Sequence, residues 1–167
     1  MRSGRRSKLG RDRAVDLHRA MAEAVKRSLQ QADTHRLIRA LISRTTKDRP
    51  HGYPWGPGRR LEYLEQVHGW LESLSYYDEA EIEAVATIPQ LLEYPAADCD
   101  DTAAAAYALT AAVGMAPALA WARRPGYGRH VWTVELTTGM GLDPAVPWGP
   151  HGGDPREELR ANGWRMG

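Results

Sequence analysis

Asp98-Cys99-Asp100-Asp101-Thr102-Ala103-Ala104, running on through alanine-rich sequence to Val113 and halting at Gly114, is the stretch on which the fold turns. Acidic residues suit the positive end of a helix and glycine suits its C-terminal exit, so the segment predicts a helix whose first turn carries the only cysteine, Cys99. Ala118-Leu119-Ala120-Trp121-Ala122 then predicts a strand, and Arg124-Pro125-Gly126-Tyr127-Gly128 a turn. Beyond it, His130-Val131-Trp132-Thr133-Val134-Glu135-Leu136 alternates, with His130, Trp132, Val134 and Leu136 expected on one face. Thr137-Thr138-Gly139 turns the chain, and Gly141-Leu142-Asp143-Pro144 begins a short return strand.

Upstream the pattern is helical. Ala14, Leu17, Met21, Val25 and Leu29 recur at steps of three or four, predicting an amphipathic helix over 11–31. A second helix, capped by Asp33 or Thr34, carries Leu37, Ile38, Leu41 and Ile42. The prolines and glycines of 44–58 predict a loop, and a third helix is expected over about 59–75 with Leu61, Leu64, His68 and Leu71 on one face, then an extended Tyr76-Tyr77. Thr87-Ile88-Pro89-Gln90-Leu91-Leu92 reads as a short capped helix with proline in its first turn. Helices first, then helix and strands, make an α+β chain: a Cys-bearing helix packed on a small antiparallel sheet, preceded by N-terminal helices. The expected organisation is a flexible basic arm over 1–10, a helical extension and Pro/Gly loop over 11–58, a core over 59–150, and a tail with a short helix near 154–161 over 151–167.

The 167 residues suffice for one domain, and 43% hydrophobic with 26% charged residues is ordinary globular composition. No apolar run suits a membrane span or a signal peptide, which favours a cytoplasmic protein without a membrane partner. The net charge of +1 conceals a split: residues 1–50 carry 14 Lys+Arg against 5 Asp+Glu, and residues 51–167 carry 8 against 16. A basic N-terminal region therefore suits an acidic partner, with a protein assembly favoured over nucleic acid.

Cys99 at a helix start is the residue with chemical potential, because orphan N–H groups and the helix dipole favour a thiolate there. Asp98, Asp100 and Asp101 act in the opposite sense. His130 is the candidate base, and Asp143, 13 residues on, is placed by a hairpin to orient it. Taken singly, a lone cysteine is more often a small buried hydrophobe, and an Asp before Pro is usually turn chemistry. The order Cys-helix, strand, His-strand, Asp-strand is what makes a thiol-acyltransfer site.

This set, Asp98-Cys99-Asp100-Asp101-Thr102, Val113-Gly114-Met115-Ala116-Pro117, His130-Val131-Trp132-Thr133-Val134-Glu135 and Leu142-Asp143-Pro144, resembles the transglutaminase-like core, of the papain-like superclass and the stand-alone bacterial or bacteriophage type. The resemblance covers about 85–147 and extends back to the helix ending in Trp70-Leu71-Glu72-Ser73-Leu74-Ser75-Tyr76. It implies Cys99 as nucleophile, His130 as general base and acid, Asp143 as the residue orienting it, and Trp132 as a substrate-contacting wall of the cleft. The glycine usual before the family's Asp-Cys is Ala97 here. No side chain has the spacing of an oxyanion donor, Gln90 included, which leaves backbone N–H groups near Cys99.

The expected activity is acyl transfer at an amide or peptide bond of a protein or peptide substrate, hydrolytic or cross-linking, with no cofactor. The rival expectation is a non-catalytic structural protein retaining the fold, such as a bacteriophage virion component, which would make the chain virion-associated. His51, His68 and His151 lack the close spacing of zinc ligands, so no metal is expected. Gly52-Tyr53-Pro54-Trp55-Gly56-Pro57-Gly58 has prolines where a phosphate loop needs N–H donors.

Overall fold

In a computed structural model, which describes residues 4–45, 57–77 and 84–167, the chain is a mixed α/β structure with small sheets. It runs α1 (Gly4–Leu29), α2 (Ala32–Ser43), α3 (Pro57–Glu72), β1 (Ser75–Tyr76), α4 (Ile88–Glu93), β2 (Ala96–Ala97), α5 (Cys99–Ala111), β3 (Pro117–Arg124), β4 (Gly128–Glu135), β5 (Met140–Leu142), β6 (Gly152–Gly153), α6 (Arg156–Ala161) and β7 (Arg165–Met166).

The α5 helix sits at the centre, packed against α1 and α3 and against β3 and β4. Its alanines explain this: Ala103, Ala104, Ala105, Ala106 and Ala108 are all buried, and small side chains let neighbours close in from every side. Polar ties fix the packing. Thr133 Oγ1 donates to the Ala103 carbonyl at 2.8 Å, and Tyr63 Oη donates to the Leu109 carbonyl at 2.8 Å. Gly114, at φ +75°, provides the left-handed exit from α5. Leu17 and Met21 bring α1 into a cluster with Ala103, Ala104 and Val131. Leu41 of α2 and Leu64, Val67 and Leu71 of α3 form the other core with Leu109 and Leu142.

The main sheet has the order β6-β5-β4-β3-β7. All its pairs are antiparallel except β5–β6. Separately, β1 and β2 pair in parallel, with Tyr76 beside Ala97, which sets Tyr76 next to the entry to α5.

Several expectations shift. Residues 4–10, expected in a flexible arm, continue α1; residues 46–56 of the expected loop lie outside the described residues. The α2 N-cap position is Gln31, with Asp33 and Thr34 already inside the helix. The α3 helix starts at Pro57, where proline suits a first turn, and ends at Glu72. Residues 151–167 are not a tail: they supply both edge strands of the sheet, with β7 paired to β3. On β4, Val131, Thr133 and Glu135 are buried as well as Trp132, because α5 covers the face they occupy; Leu136, beyond the strand, is 64% exposed. Among the described residues, no helix is long and apolar enough to cross a membrane.

Candidate active site

The acidic run around Cys99 is largely capping. Asp98, the N-cap of α5, accepts hydrogen bonds from the N–H groups of Asp100 at 2.9 Å and Asp101 at 3.0 Å. Asp101 closes the capping box by accepting from Asp98 N–H at 3.2 Å, and its other oxygen accepts from Ala86 N–H at 2.7 Å. Asp100 has no such duty. Its carboxylate lies 3.9 Å from Cys99 Sγ, and burial and then Asp98 push its pKa up to about 6 despite the opposing pull of Arg129.

Cys99 is half-buried at the first position of α5, where the helix leaves its N–H without an intrahelical acceptor. Burial first, then Asp100, pushes its thiol up to about 12, against which a hydrogen bond from the Val131 backbone acts. The resting group at neutral pH is therefore the thiol. The helix dipole, which sequence reasoning expects to favour a thiolate, is outweighed by desolvation and by the adjacent carboxylate.

His130 and Asp143 meet as the hairpin expectation requires. The β4–β5 register pairs Thr133 with Leu142, so Asp143, one step past β5, falls opposite Trp132 and diagonal to His130 on one face. The His130 Nε2–Asp143 Oδ2 distance is 2.5 Å. A proton on Nε2 donated to the carboxylate leaves Nδ1 as the acceptor. Asp143 is itself held firmly: its Oδ1 accepts from Ala145 N–H at 3.0 Å, and its N–H donates to the Gly153 carbonyl at 2.9 Å. His68, buried on α3, donates from Nε2 to the carbonyls of Asp143 and Val146 at 3.0 and 2.9 Å. His68 is thus a tether for the loop that carries Asp143. A Cβ on Gly153 would collide with the His68 ring, which accounts for glycine there.

Cys99, His130 and Asp143 line one cavity of about 440 Å³. Trp132 does not line it. It is 1% exposed and stacks on His130 with ring centroids 5.9 Å apart, so it is a platform under the imidazole rather than a wall of the cleft. The aromatic wall comes from Trp164, whose ring meets His130 edge-on at 6.4 Å, together with Tyr76 and Tyr127. Gln90 is engaged elsewhere, accepting from Thr87 N–H at 2.8 Å beside a separate hollow that Asp101 also lines. Gly128 has nothing within 4 Å of an added Cβ; it is there for its φ of +92° at the turn. Among the described residues no group of three or more His, Cys, Asp or Glu side chains converges as a metal site.

Trp164 and the rest of the C-terminal wall are absent from the sequence-based site. A two-residue edge strand has no periodicity to detect, and Asn162-Gly163 marks only a turn. Compared with known proteins, the chain matches no family model, no curated protein and no solved structure.

Proposed function

We propose that the protein is a thiol-dependent acyl-transfer enzyme acting on an amide or peptide bond, with α5, β4 and β5 forming a transglutaminase-like core. The observation that carries this reading is the short His130–Asp143 hydrogen bond on the wall of the same cavity that Cys99 lines. In the reaction, Cys99 Sγ attacks the substrate carbonyl carbon while His130 Nδ1 takes the thiol proton. Asp143 steadies the resulting imidazolium, and the Cys99 N–H faces the developing oxyanion. The C–N bond then breaks as His130 returns the proton to the leaving amine. Water, with His130 again as base, cleaves the thioester to a carboxylic acid and restores the thiol. Hydrolysis is favoured over cross-linking because an amine route needs a site that excludes water. With the thiol held near 12, proton transfer to His130 is part of the barrier rather than complete beforehand.

That same raised thiol favours a second reading, in which the fold persists as a non-catalytic assembly component and Cys99 is inert. A panel of internally quenched peptides, with a fluorescent primary amine as alternative acceptor, separates the two. Cleavage or amine incorporation that disappears in Cys99→Ala and in His130→Ala is the expected result. Turnover that survives in Cys99→Ala removes the thiol mechanism, and absence of turnover in the wild type moves the reading to the assembly role.

A further inference from the structure

The β3–β4 hairpin carries a concentration of positive charge in an otherwise acidic region: of the 8 Lys+Arg in residues 51–167, three are Arg123, Arg124 and Arg129. Arg123 pairs with Arg129 and Arg124 with Gly128, which gathers all three at the hairpin's turn end. Two of them, Arg124 and Arg129, line the cavity of Cys99 and His130, with Tyr127 between them in sequence. Aromatic rings hold these side chains. The Arg124 guanidinium lies 4.1 Å from the Tyr127 ring centroid, and that of Arg129 lies 5.5 Å from the Trp121 centroid. Stacking of this kind fixes the guanidinium plane while its N–H edges stay available for a carboxylate.

The ion pairs among the described residues leave both arginines out. The cavity's own carboxylates do not take them up. Asp98 caps α5 and Asp143 bonds to His130. Glu158 stands on α6, and Asp100, which is outside the cavity lining, feels Arg129 without forming an ion pair with it. Two oriented, unpaired cations beside a nucleophile match a fork-shaped anion.

We infer that Arg124 and Arg129 form a substrate-reading site for a carboxylate carried by the peptide next to the bond that Cys99 attacks. The inference rests on Cys99 being the reacting atom and adds the substrate's charge. Neutral amides without a neighbouring carboxylate lack this anchor and are poor substrates.

The test compares alkylation of Cys99 by iodoacetate and by iodoacetamide, two reagents of like size that differ in charge. The ratio of their rates removes any change in thiol reactivity common to both. In the wild type the iodoacetate-to-iodoacetamide ratio is expected to exceed that of free cysteine. It should fall at least about threefold in Arg124→Gln or Arg129→Gln and about tenfold in the double variant, with the preference weakening as salt is added. Protection of Cys99 against iodoacetate separates the carboxylate's two sources. N-acetylglutamic acid α-amide protects if a side chain is read, N-acetylalanine if a C-terminus is read, and N-acetylalanine amide serves as the neutral reference. Alkylation by both reagents with a ratio unchanged in the double variant, or protection by neither acid, overturns the carboxylate site alone. A Cys99 inert to both reagents overturns the nucleophile reading and the inference with it.

Discussion

Asp100→Asn is the perturbation that most cleanly reports how the protein restrains its own thiol. The carboxylate lies 3.9 Å from Cys99 Sγ, is buried, and is the second cause, after burial, of a thiol pushed up to about 12. At about pH 8 Asp100, with a pKa of about 6, carries its full charge. Two unit charges at that separation, in a half-buried setting with effective dielectric constant about 40, interact by about 2 kcal/mol. Removing the charge lowers the thiol pKa by about 1.5 units and raises the thiolate fraction at about pH 8 roughly 30-fold. A less basic thiolate is a weaker nucleophile, and a Brønsted coefficient of about 0.45 returns roughly a fivefold loss. The net expectation is iodoacetamide alkylation about sixfold faster in Asp100→Asn than in wild type, with Cys99→Ala as the blank. A rate within twofold of wild type, or slower, would refute the assignment of Asp100 as the local brake on Cys99.

Three further outcomes follow from the same geometry. The folded-state pKa of Asp100, raised from 3.8 to about 6, means the folded chain holds a proton that the unfolded chain releases between those values. Stability therefore falls as pH rises through that window, so Asp100→Asn should be more stable than wild type at neutral pH by up to about 3 kcal/mol. Thermal melts should show the gain closing as the pH drops from about 6 to 4; a difference independent of pH contradicts it. His68→Ala removes the donor to the Asp143 and Val146 carbonyls and should cost about 2–4 kcal/mol in urea unfolding, whereas a loss under 1 kcal/mol would show that the loop holds itself. Burial pushes the Glu135 carboxyl up, but hydrogen bonds from Thr138, Ala116 and Thr137 outweigh it and hold the pKa below the usual range. Glu135→Ala strips these N–H groups of their acceptor and should cost about 3 kcal/mol at neutral pH, with the deficit shrinking in acid as the wild-type carboxylate protonates; an acid-independent deficit argues for packing alone.

Most of the architecture could be read from residue pattern because the decisive signals are local. Asp98 and Gly114 punctuate α5, Thr87 and Pro89 announce α4, and alternation marks β4. Local signals also place His130 and Asp143, since a short hairpin brings residues 13 apart onto neighbouring strands. What escaped was non-local. The β6 and β7 strands are two residues each and exist only because the sheet offers them an edge, so nothing in Gly152-Gly153 or Arg165-Met166 foretells them. The same cause hid Trp164 and assigned the cavity wall to Trp132, whose side chain the fold buries beneath His130. For the thiol the sequence shows two opposed effects, helix position favouring a thiolate and the acidic neighbours opposing it, and which one wins is set by burial and the placement of Asp100, which decide for the thiol.

The central claim is that Cys99 is a nucleophile driven by His130, and acylation by p-nitrophenyl acetate tests it most directly. Nitrophenolate release and peptide mass spectrometry together report the rate and the site. Acetyl transfer to Cys99 in the wild type at neutral pH, slowed by about a hundredfold or more in His130→Ala, is the expected result. Equal acylation rates in the two proteins, or label on residues other than Cys99, would contradict it.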